Sequence, residues 1–290
     1  MTMDNDKKIV LVVGANGQLG SEFKAIADKH AEYLFHFTDV NELNITKNNE
    51  VFDYFRVHQP DICINCAAYT AVDKAEEEQE LAYLINSTAV KHLSIACQLQ
   101  GTKLIHFSTD YVYDSVSDRP IIESDTCTPR SVYGLSKRAG EEVLEQSDID
   151  WICLRVSWLY GVSGHNFVKT MIRLGTDRDA LSIVADQIGA PTYAEDLAAV
   201  VMKILHADKG YGQHYNYSSS GITNWADFAR EIMNQRSIAC DISDTTTAAY
   251  GAPAPRPLWS VMSHDKIKAT FDLEISTWQE SLKRCLARYK

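Results

Sequence analysis

Two side chains that could transfer a proton stand four residues apart, in the segment Tyr133-Gly-Leu-Ser-Lys137. On a helix this spacing places the phenol and the ammonium group one above the other on the same face. A free phenol, with a pKa of about 10, is a poor proton donor near neutral pH, and a neighbouring cation lowers that pKa. The pair alone says little, because most such pairs lie in solvent on protein surfaces.

A hydroxyl-bearing segment, Ser108-Thr109-Asp110-Tyr111, follows the fourth predicted strand. Open α/β sheets bind their ligands at the carboxyl ends of parallel strands, so a hydroxyl there is placed to meet a substrate. A hydroxyl, a phenol and an ammonium group, combined with a dinucleotide loop, are typical of hydride transfer to a ketone in which the phenol gives the proton.

Three glycines supply that loop, since Gly14, Gly17 and Gly20 follow the pattern G-x-x-G-x-x-G between the first predicted strand and the first predicted helix. The first permits a tight turn, the second lets backbone approach a pyrophosphate, and the third allows close helix–strand packing. The helix N-terminus favours an anion. This context favours a dinucleotide site over the alternative, a plain strand-to-helix turn.

An acidic residue, Asp39, ends the second predicted strand. A carboxylate there can accept hydrogen bonds from an adenosine ribose 2′-OH, which favours NADH because a 2′-phosphate would meet like charge. No arginine adjoins Asp39, and Lys47 is the nearest base downstream. The alternative is a turn or capping aspartate, so the choice between NADH and NADPH stays open.

Strands and helices must alternate to bring these segments together. Strands are predicted at 8–13, 33–38, 61–65, 103–108, 151–157 and 181–185, and helices at 18–30, 75–100 and 278–289. The alternation predicts right-handed crossovers and an α/β fold with a doubly wound, Rossmann-like parallel sheet.

The second half of the chain is richer in Ser, Thr, Pro and Gly, which predicts a second, smaller α/β domain. We expect residues 1–155 to form a dinucleotide-binding domain that also receives part of 181–215. Residues 156–290 would mainly form the substrate-binding domain, with a soft boundary because the chain can cross between the domains more than once.

Five motifs follow one another along nearly the whole chain: GANGQLG, PDICINCAAYTAVDKAE, STDYVYD, YGLSKRAGE and DQIGAPTYAEDLA. In them the chain resembles the dTDP-4-dehydrorhamnose reductases, which are extended short-chain dehydrogenases/reductases. The resemblance implies NADPH- or NADH-dependent reduction of the C4 ketone of dTDP-4-dehydro-L-rhamnose to dTDP-L-rhamnose, the last step of activated rhamnose synthesis in bacteria.

The resemblance also implies roles for the chemical groups. Thr109 would hydrogen-bond the substrate carbonyl oxygen, Tyr133 would be the general acid, and Lys137 would hold the nicotinamide ribose and lower the phenol pKa. The implied cofactor-binding residues are Gly14, Asn16, Gly17, Gln18, Leu19, Gly20, Asp39, Asn44, Ile45, Ala67, Ala68, Tyr69, Tyr133 and Lys137.

A second set of residues is predicted to bind the nucleotide sugar: Thr109, Asp110, Trp158, Asn166, Phe167 and Arg256. The resemblance places Trp158 beside the sugar ring, and the amide of Asn166 and the ring of Phe167 could meet a pyrimidine base. Prolines flank Arg256 and would stiffen a loop that presents its guanidinium to the pyrophosphate. The alternative for Arg256 is a surface arginine in a proline-rich loop.

Metal-binding spacings are missing from the sequence. Cys63 and Cys66 form one C-x-x-C without a second pair, which favours buried small side chains, and no H-x-x-x-H or H-E-x-x-H occurs. Some members of the resembled family are thought to dimerise around a metal held by glutamates. Glu22 and Glu195 match two of these, but Arg288 takes the third place, so we expect no metal there. We also expect His106 to be a satisfied core residue and residues 76–78 to be a solvated helix face.

Composition excludes several classes of function. Among 290 residues, Lys and Arg number 28 and Asp and Glu 39, and the net charge of −11 argues against non-specific nucleic-acid binding. No apolar stretch approaches the roughly 20 residues that span a bilayer, and the start lacks a leader-like apolar core. Seven scattered cysteines do not suggest a disulfide framework. We expect a cytoplasmic monomer or homodimer that binds a dTDP-sugar, without nucleic-acid or membrane partners.

Two rival functions remain at this point. Another nucleotide-sugar enzyme of the superfamily, such as a 4-epimerase, would retain its cofactor through purification, whereas a reductase must exchange it at each turnover. A non-enzymatic regulatory subunit with this fold would have no need of the Thr109, Tyr133 and Lys137 set, and would copurify with a larger partner.

Overall fold

The computed structural model describes residues 7–114 and 119–289. The strands are β1 (Lys8–Val13), β2 (Tyr33–Thr38), β3 (Ile62–Asn65), β4 (Lys103–Thr109), β5 (Trp151–Val156), β6 (Leu159–Tyr160), β7 (Ala180–Val184), β8 (Ile188–Gly189), β9 (Thr192–Tyr193), β10 (Gln213–Tyr217), β11 (Thr223–Asn224) and β12 (Asp241–Thr245). The helices are α1 (Gln18–Ile26), α2 (Asn48–His58), α3 (Val72–Ala75), α4 (Gln79–Tyr83), α5 (Ala89–Gln100), α6 (Val132–Glu145), α7 (Phe167–Asp177), α8 (Ala194–Ala207), α9 (Trp225–Arg236), α10 (Thr247–Tyr250), α11 (Asp265–Phe271) and α12 (Trp278–Ala287). Within the described ranges, no helix has the length and apolar character needed to cross a membrane.

A six-stranded sheet in the order β10-β5-β4-β3-β1-β2 forms the centre of the molecule, and all its neighbouring strands are parallel. One apolar layer packs α1 and α8 against one face of the sheet, and a second packs α2 and α5 against the other. This two-sided burial explains why β1 is apolar from Ile9 onward, with Val10–Val13 at 1% exposure or less. The predicted fold class is confirmed.

The strand order reverses at β1, because β2 lies on one side of it and β3 on the other. The crossover helices that leave β1 and β3 therefore diverge to opposite faces of the sheet. A crevice opens between the carboxyl ends of those two strands, which is where open α/β sheets bind their ligands.

The helix predicted over residues 75–100 is broken in the structure. It consists of α3, α4, a π-helical turn at Leu84–Thr88 and α5. Two carboxylates near the break make tertiary contacts: Glu76 Oε1 accepts from the Val132 backbone N–H at 2.9 Å, and Glu78 Oε2 accepts from the Tyr69 hydroxyl at 2.7 Å. The expectation that residues 76–78 form only a solvated helix face is therefore wrong for Glu76 and Glu78.

A smaller unit packs beside the sheet, built on the parallel pair β7–β12 and an apolar cluster that joins α7, α9 and α12. The predicted strand at 181–185 is β7 and lies in this unit. The chain then returns, because α8 packs on α1 and β10 pairs with β5 in the main sheet. The domain division stays a prediction, and these contacts favour a first domain that regains residues 194–217.

A buried ion pair fastens α6, the helix that carries Tyr133 and Lys137, to the sheet. Arg155 on β5 donates from Nε and one terminal nitrogen to the two oxygens of Glu141 on α6, at 2.9 and 2.7 Å, and both side chains are at most 2% exposed. Burial raises the pKa of Glu141, but Arg155 outweighs it and holds that pKa below its ordinary value.

We expect Glu141→Gln to lower the free energy of unfolding by about 3–5 kcal/mol at pH 7, because it leaves the Arg155 charge buried without its partner. The matched control is Asp53→Asn, which removes an exposed ion pair with Arg56 and should cost less than about 1 kcal/mol. Urea denaturation measures both values.

The Arg155–Glu141 pair also predicts how the difference in the free energy of unfolding between the wild type and Glu141→Gln depends on pH. A carboxyl group with a lowered pKa stabilises the fold above its ordinary pKa and loses that effect as the pH falls through the lowered value. The stabilities of the wild type and Glu141→Gln should therefore converge in acid. A difference unchanged by pH would contradict the assignment of the stabilisation to the Glu141 charge.

Candidate active site

A cavity of about 420 Å³ occupies the crevice at the carboxyl ends of β1, β2 and β3. Most of the predicted cofactor residues meet there. The lining residues are Val13, Gly14, Asn16, Gly17, Asp39, Val40, Leu43, Asn44, Ile45, Thr46, Cys66, Ala67, Ala68 and Ile85.

Gly14 adopts a φ of +71°, and a Cβ atom there would lie 2.7 Å from the Ala67 backbone nitrogen. A Cβ on Gly20 would lie 2.4 Å from the Gly14 carbonyl oxygen. No other residue type fits either position without moving backbone, and the bare turn leaves room for a ligand's phosphates at the N-terminus of α1. The backbone thus has the shape that a dinucleotide-binding loop needs.

Asp39 fastens this loop as well as lining the cavity. Its Oδ2 accepts from the Asn16 backbone N–H at 2.9 Å, and its Oδ1 accepts from the Val40 N–H at 2.8 Å. A carboxylate has further lone pairs, so the predicted contact with a ribose 2′-OH stays a prediction. The structure adds a cation that the sequence did not suggest, because Lys24 Nζ donates to Asn16 Oδ1 at 2.6 Å.

Three predicted cofactor residues make their contacts elsewhere. Leu19 is 5% exposed and packs into the apolar layer beneath the loop. Gln18 donates to the Leu159 carbonyl oxygen at 3.0 Å and accepts from Asn166 at 2.8 Å, which joins the loop to the smaller unit. The hydroxyl of Tyr69 donates to Glu78.

The predicted chemical groups meet at the end of β4. The Thr109 hydroxyl donates to Asp110 Oδ1 at 2.9 Å and accepts from the Tyr111 N–H at 3.2 Å. The rings of Tyr111 and Tyr133 meet edge to face with their centroids 5.4 Å apart. Thr109, Asp110 and Lys137 are at most 4% exposed, whereas Tyr111 and Tyr133 are partly buried.

The expectation that Lys137 lowers the pKa of Tyr133 is wrong for this structure. Burial raises the pKa of Tyr133 to about 12, and the hydrogen bond with Thr109 only partly offsets it. Lys137 instead donates to the Phe107 carbonyl oxygen at 2.6 Å. Burial also lowers the pKa of Lys137 to about 8 and raises that of Asp110 to about 6.

Asn86, in the π-helical turn, was missed by the sequence analysis. Its amide nitrogen donates to the Tyr69 carbonyl oxygen and the Ser136 hydroxyl, each at 3.0 Å, and its amide oxygen accepts from the Tyr69 N–H. Asn86 therefore links Tyr69, in the segment after β3, to α6. A single asparagine within a helical pattern gives no signal for such a role.

His106 is another departure, since it is fully buried but only half satisfied. Its Nδ1 lies 3.2 Å from the amide nitrogen of Asn65, while its Nε2 has no hydrogen-bond partner among the described residues. Burial, together with the Lys137 charge, holds the pKa of His106 well below its ordinary value. The ring is therefore neutral.

A second cavity, of about 580 Å³, opens in the smaller unit. Its lining combines aromatic and apolar side chains with two arginines: Phe167, Thr170, Met171, Leu174, Arg178, Ala180, Leu181, Ser182, Ile183, Val184, Gln187, Trp225, Tyr250 and Arg256. This composition suits a planar base with a charged tail.

Arg256 is not a free surface arginine. Its two terminal nitrogens donate to the two oxygens of Asp73 at 3.0 and 2.8 Å, and its side chain is 19% exposed. Arg256 and Tyr111 also line one small crevice, so Arg256 stands between the second cavity and the Tyr111–Tyr133 pair.

The remaining predicted substrate residues have different surroundings. Trp158 adopts a φ of +47° and stacks on Trp225 at 3.8 Å between ring centroids. Phe167 contacts Trp225 at 4.6 Å, and Trp225 itself was not predicted. Asn166 caps α7 by accepting from Lys169, and both of its amide hydrogens are used, on Gln18 and Gly161. These bonds leave Asn166 no donor for a base, contrary to expectation.

The three residues compared with the family's metal ligands form an ion-pair cluster. Arg288 donates to Glu22 Oε2 at 2.8 Å and to the Tyr193 hydroxyl at 2.9 Å, and it lies 3.3 Å from Glu195. The guanidinium thus places a positive charge between the two carboxylates.

Proteins of known family match this chain over nearly its full length. The family model that matches is the RmlD substrate binding domain, over residues 7–290. The spore coat polysaccharide biosynthesis protein SpsK of Bacillus subtilis (strain 168) is 39% identical over 277 residues, which are 96% of this chain and 96% of that protein. The dTDP-4-dehydrorhamnose reductase of Aggregatibacter actinomycetemcomitans is 38% identical over 289 residues, covering 96% of this chain and 98% of that protein.

A solved structure of a dTDP-4-dehydrorhamnose reductase also matches this chain over nearly its full length. The crystal structure of dTDP-4-dehydrorhamnose reductase from Bacillus anthracis str. Ames in complex with NADP is similar to this chain with a TM-score of 0.93 and 38% sequence identity. The match covers 97% of this chain and 99% of that one.

We expect Gly14→Ala to weaken binding of NADPH or NADH by about fivefold or more, since the new Cβ overlaps the Ala67 backbone and overpacking typically costs about 1–3 kcal/mol. Gly101→Ala is the matched control, because Gly101 has a similar φ of +68° but nothing within 4 Å of a Cβ. Isothermal titration calorimetry should show unchanged cofactor affinity in Gly101→Ala. Equal losses in both variants would indicate general destabilisation instead.

Proposed function

Because the chain belongs to the RmlD substrate binding domain family, whose matching members include dTDP-4-dehydrorhamnose reductases, we propose that it reduces the C4 ketone of dTDP-4-dehydro-L-rhamnose to dTDP-L-rhamnose with NADPH or NADH. The observation that supports the proposal is that Tyr133 lies in hydrogen-bond reach of Thr109 and Lys137 donates to Phe107, all at the end of β4, in a sheet that also bears a glycine-lined cavity. The reaction is the last step of activated rhamnose synthesis.

The 420 Å³ cavity would hold the adenosine and pyrophosphate half of a nicotinamide dinucleotide. The glycine turn would meet the pyrophosphate, Asp39 and Asn44 would face the adenosine, and Ala67 and Ala68 would border the cofactor on its way to Thr109. When bound, the reduced nicotinamide supplies a hydride, which goes to C4 of the ketone.

The second half of the reaction is a proton transfer to the C4 oxygen, which we assign to Tyr133. A phenol whose pKa is raised to about 12 carries its proton at neutral pH but is a weaker acid than a free phenol, so donation depends on a lower pKa in the liganded enzyme. Hydride on carbon and proton on oxygen together yield the alcohol. The Thr109 hydroxyl would hold the carbonyl oxygen against Tyr133.

Lys137 is assigned a positioning role. One of its donors is fixed on the Phe107 carbonyl oxygen, which leaves two others for the hydroxyls of a nicotinamide ribose. Its charge, once the ribose and phenol are in place, favours the phenolate that remains after proton donation. The pKa shift expected from the sequence would then belong to the liganded enzyme and not to the free chain.

The nucleotide half of the substrate would lie in the 580 Å³ cavity. Phe167 and Trp225 offer aromatic faces for the base, and Arg256 offers its guanidinium to the pyrophosphate. Asp110 and Trp158 would border the sugar near Thr109. We further propose that the enzyme acts in the cytoplasm, where nucleotide sugars and reduced cofactors are made, as a monomer or homodimer.

Spectrophotometric assay of NADPH and NADH oxidation, with dTDP-4-dehydro-L-rhamnose and a panel of other nucleotide 4-keto sugars, tests the proposed function. We expect one cofactor oxidised for each dTDP-L-rhamnose formed. Cofactor retained through purification, with substrate epimerised and no net oxidation, would indicate an epimerase. No reaction with any ketone would favour a regulatory subunit.

We expect Tyr133→Phe to lower kcat by roughly 10²–10⁴-fold while NADPH affinity is unchanged, because only the donated proton is lost. Tyr111→Phe, which removes the hydroxyl of the ring packed against Tyr133, should change kcat far less. Steady-state kinetics and calorimetry measure the two effects. A wild-type rate in Tyr133→Phe would refute the assigned proton donor.

We expect Arg256→Ala to raise KM for the dTDP-sugar by about tenfold or more, since hydrogen bonds to charged groups are worth about 1.5–3 kcal/mol. The KM for NADPH should stay nearly constant, and kcat should change little, because pyrophosphate contacts are equal in ground and transition states. Arg236→Ala, at the exposed end of α9, is the control. An unaltered sugar KM in Arg256→Ala would remove this residue from the substrate site.

A further inference from the structure

Two histidines and a glutamate meet on the surface, far from the proposed active site. His30 follows the 3₁₀ turn after α1, Glu32 leads into β2, and His206 lies in the last turn of α8. Glu32 and His206 are 174 residues apart in the sequence, so no local motif brings them together. Their imidazole nitrogens and carboxylate oxygen all lie within 4.8 Å of one another.

The carboxylate of Glu32 lies close to both imidazoles. Glu32 Oε1 lies 2.7 Å from His206 Nε2 and 3.3 Å from His30 Nδ1. Zinc binds such ligands at about 2.0–2.1 Å in a tetrahedral arrangement, which spaces the donor atoms about 3.4 Å apart. The distance from Glu32 to His30 is already close to that spacing, and the distance from Glu32 to His206 is about 0.7 Å short of it.

The orientation of His206 is already that of a metal ligand. Its Nδ1 lies 2.6 Å from the Met202 carbonyl oxygen, which only accepts, so Nδ1 carries hydrogen and Nε2 faces Glu32. A backbone carbonyl on the far ring nitrogen is the usual support of a zinc-bound histidine. The edge of Tyr33 packs on the same ring with centroids 5.6 Å apart, which restricts its rotation.

The contact between His206 and Glu32 defines what a metal would separate. Nε2 and the nearer carboxylate oxygen lie 2.7 Å apart. The titratable groups that face His206 are His30, Glu32 and Tyr33. A divalent cation between these groups would meet two imidazoles and one carboxylate.

We propose that His30, Glu32 and His206 form a site for one Zn²⁺, with the fourth position open to solvent. The set of two histidines and one carboxylate is a known zinc ligand set. The ion would join the end of α8 to the connection between α1 and β2, two segments that already pack together over the sheet. Its role would be structural, since neither segment contributes to Tyr133, Lys137 or Thr109.

The other cluster with metal-type ligands among the described residues is Glu141, Cys153 and His214. It is buried, and both oxygens of Glu141 are occupied by Arg155. A cation there would displace the Arg155 guanidinium from Glu141, so the surface cluster is the stronger candidate.

Competition of the untagged, chelator-stripped protein with a fluorescent zinc indicator tests the proposal. We expect one Zn²⁺ bound per chain in the wild type, and an affinity lower by more than about tenfold in His206→Gln and in Glu32→Gln, because each removes a ligand. His165→Gln and Cys240→Ser are matched controls that remove another exposed histidine and a partly exposed thiol. Both controls should bind zinc as the wild type does.

Thermal unfolding gives a second measurement that does not depend on the indicator. Zinc should raise the Tm of the wild type and both controls, since a ligand that binds the folded state stabilises it. It should leave the Tm of His206→Gln and Glu32→Gln unchanged. The absence of zinc binding in the wild type, or equal affinity in the wild type and both ligand variants, would overturn the proposal.

Discussion

Exclusion of water from the carboxyl end of β4 is the constraint on which the chemistry of this protein depends. Thr109, Asp110 and Lys137 are almost fully buried there, and burial disfavours the charged form of every ionisable group. The pKa of Tyr133 rises to about 12, that of Asp110 rises to about 6, and that of Lys137 falls to about 8. The protein without cofactor thus holds Tyr133 as a neutral phenol beside the end of β4, where the proposed carbonyl substrate would bind.

The rest of the fold supports this burial by holding α6 in place. Arg155 and Glu141 fix the middle of the helix to the sheet, Glu76 caps its first N–H group, and Asn86 ties its first turn to the cofactor side. These are polar contacts in a water-poor region, where each partner would be costly to leave unpaired. The position of Tyr133 therefore depends on residues that touch neither cofactor nor substrate.

Local patterns in the sequence were sufficient to predict the parallel sheet and the glycine loop after β1. The apolar run of β1, the glycine spacing after it and the Y-x-x-x-K pair each report a short-range requirement, such as two-sided burial, a positive φ or a shared helix face. The fold class followed from these patterns, whereas the family and the roles of Thr109 and Tyr133 followed from the resemblance of five longer motifs to known reductases. The break between α3 and α5 did not, because Glu76 and Glu78 act through partners distant in the chain.

The predictions that differ from the structure share a physical cause. The sequence shows that Lys137 is near Tyr133 but not that Phe107 accepts its hydrogen bond, so the sign of the phenol shift in the free chain was misjudged. Likewise, the amide nitrogen of Asn166 donates to Gln18, and Arg256 forms an ion pair with Asp73. Burial and long-range pairing decide these roles, and neither can be read from spacing.

The pKa of Tyr133 in the cofactor-free protein is the most direct test of this account. Tyrosine labelled with ¹³C at Cζ reports phenol and phenolate by NMR, and Tyr133→Phe identifies the signal. The account predicts that Tyr133 stays a neutral phenol from neutral pH to well above pH 10, in line with a pKa of about 12. Ionisation of Tyr133 between pH 6 and 8 without cofactor would contradict it, because the lysine would then outweigh burial in the free chain.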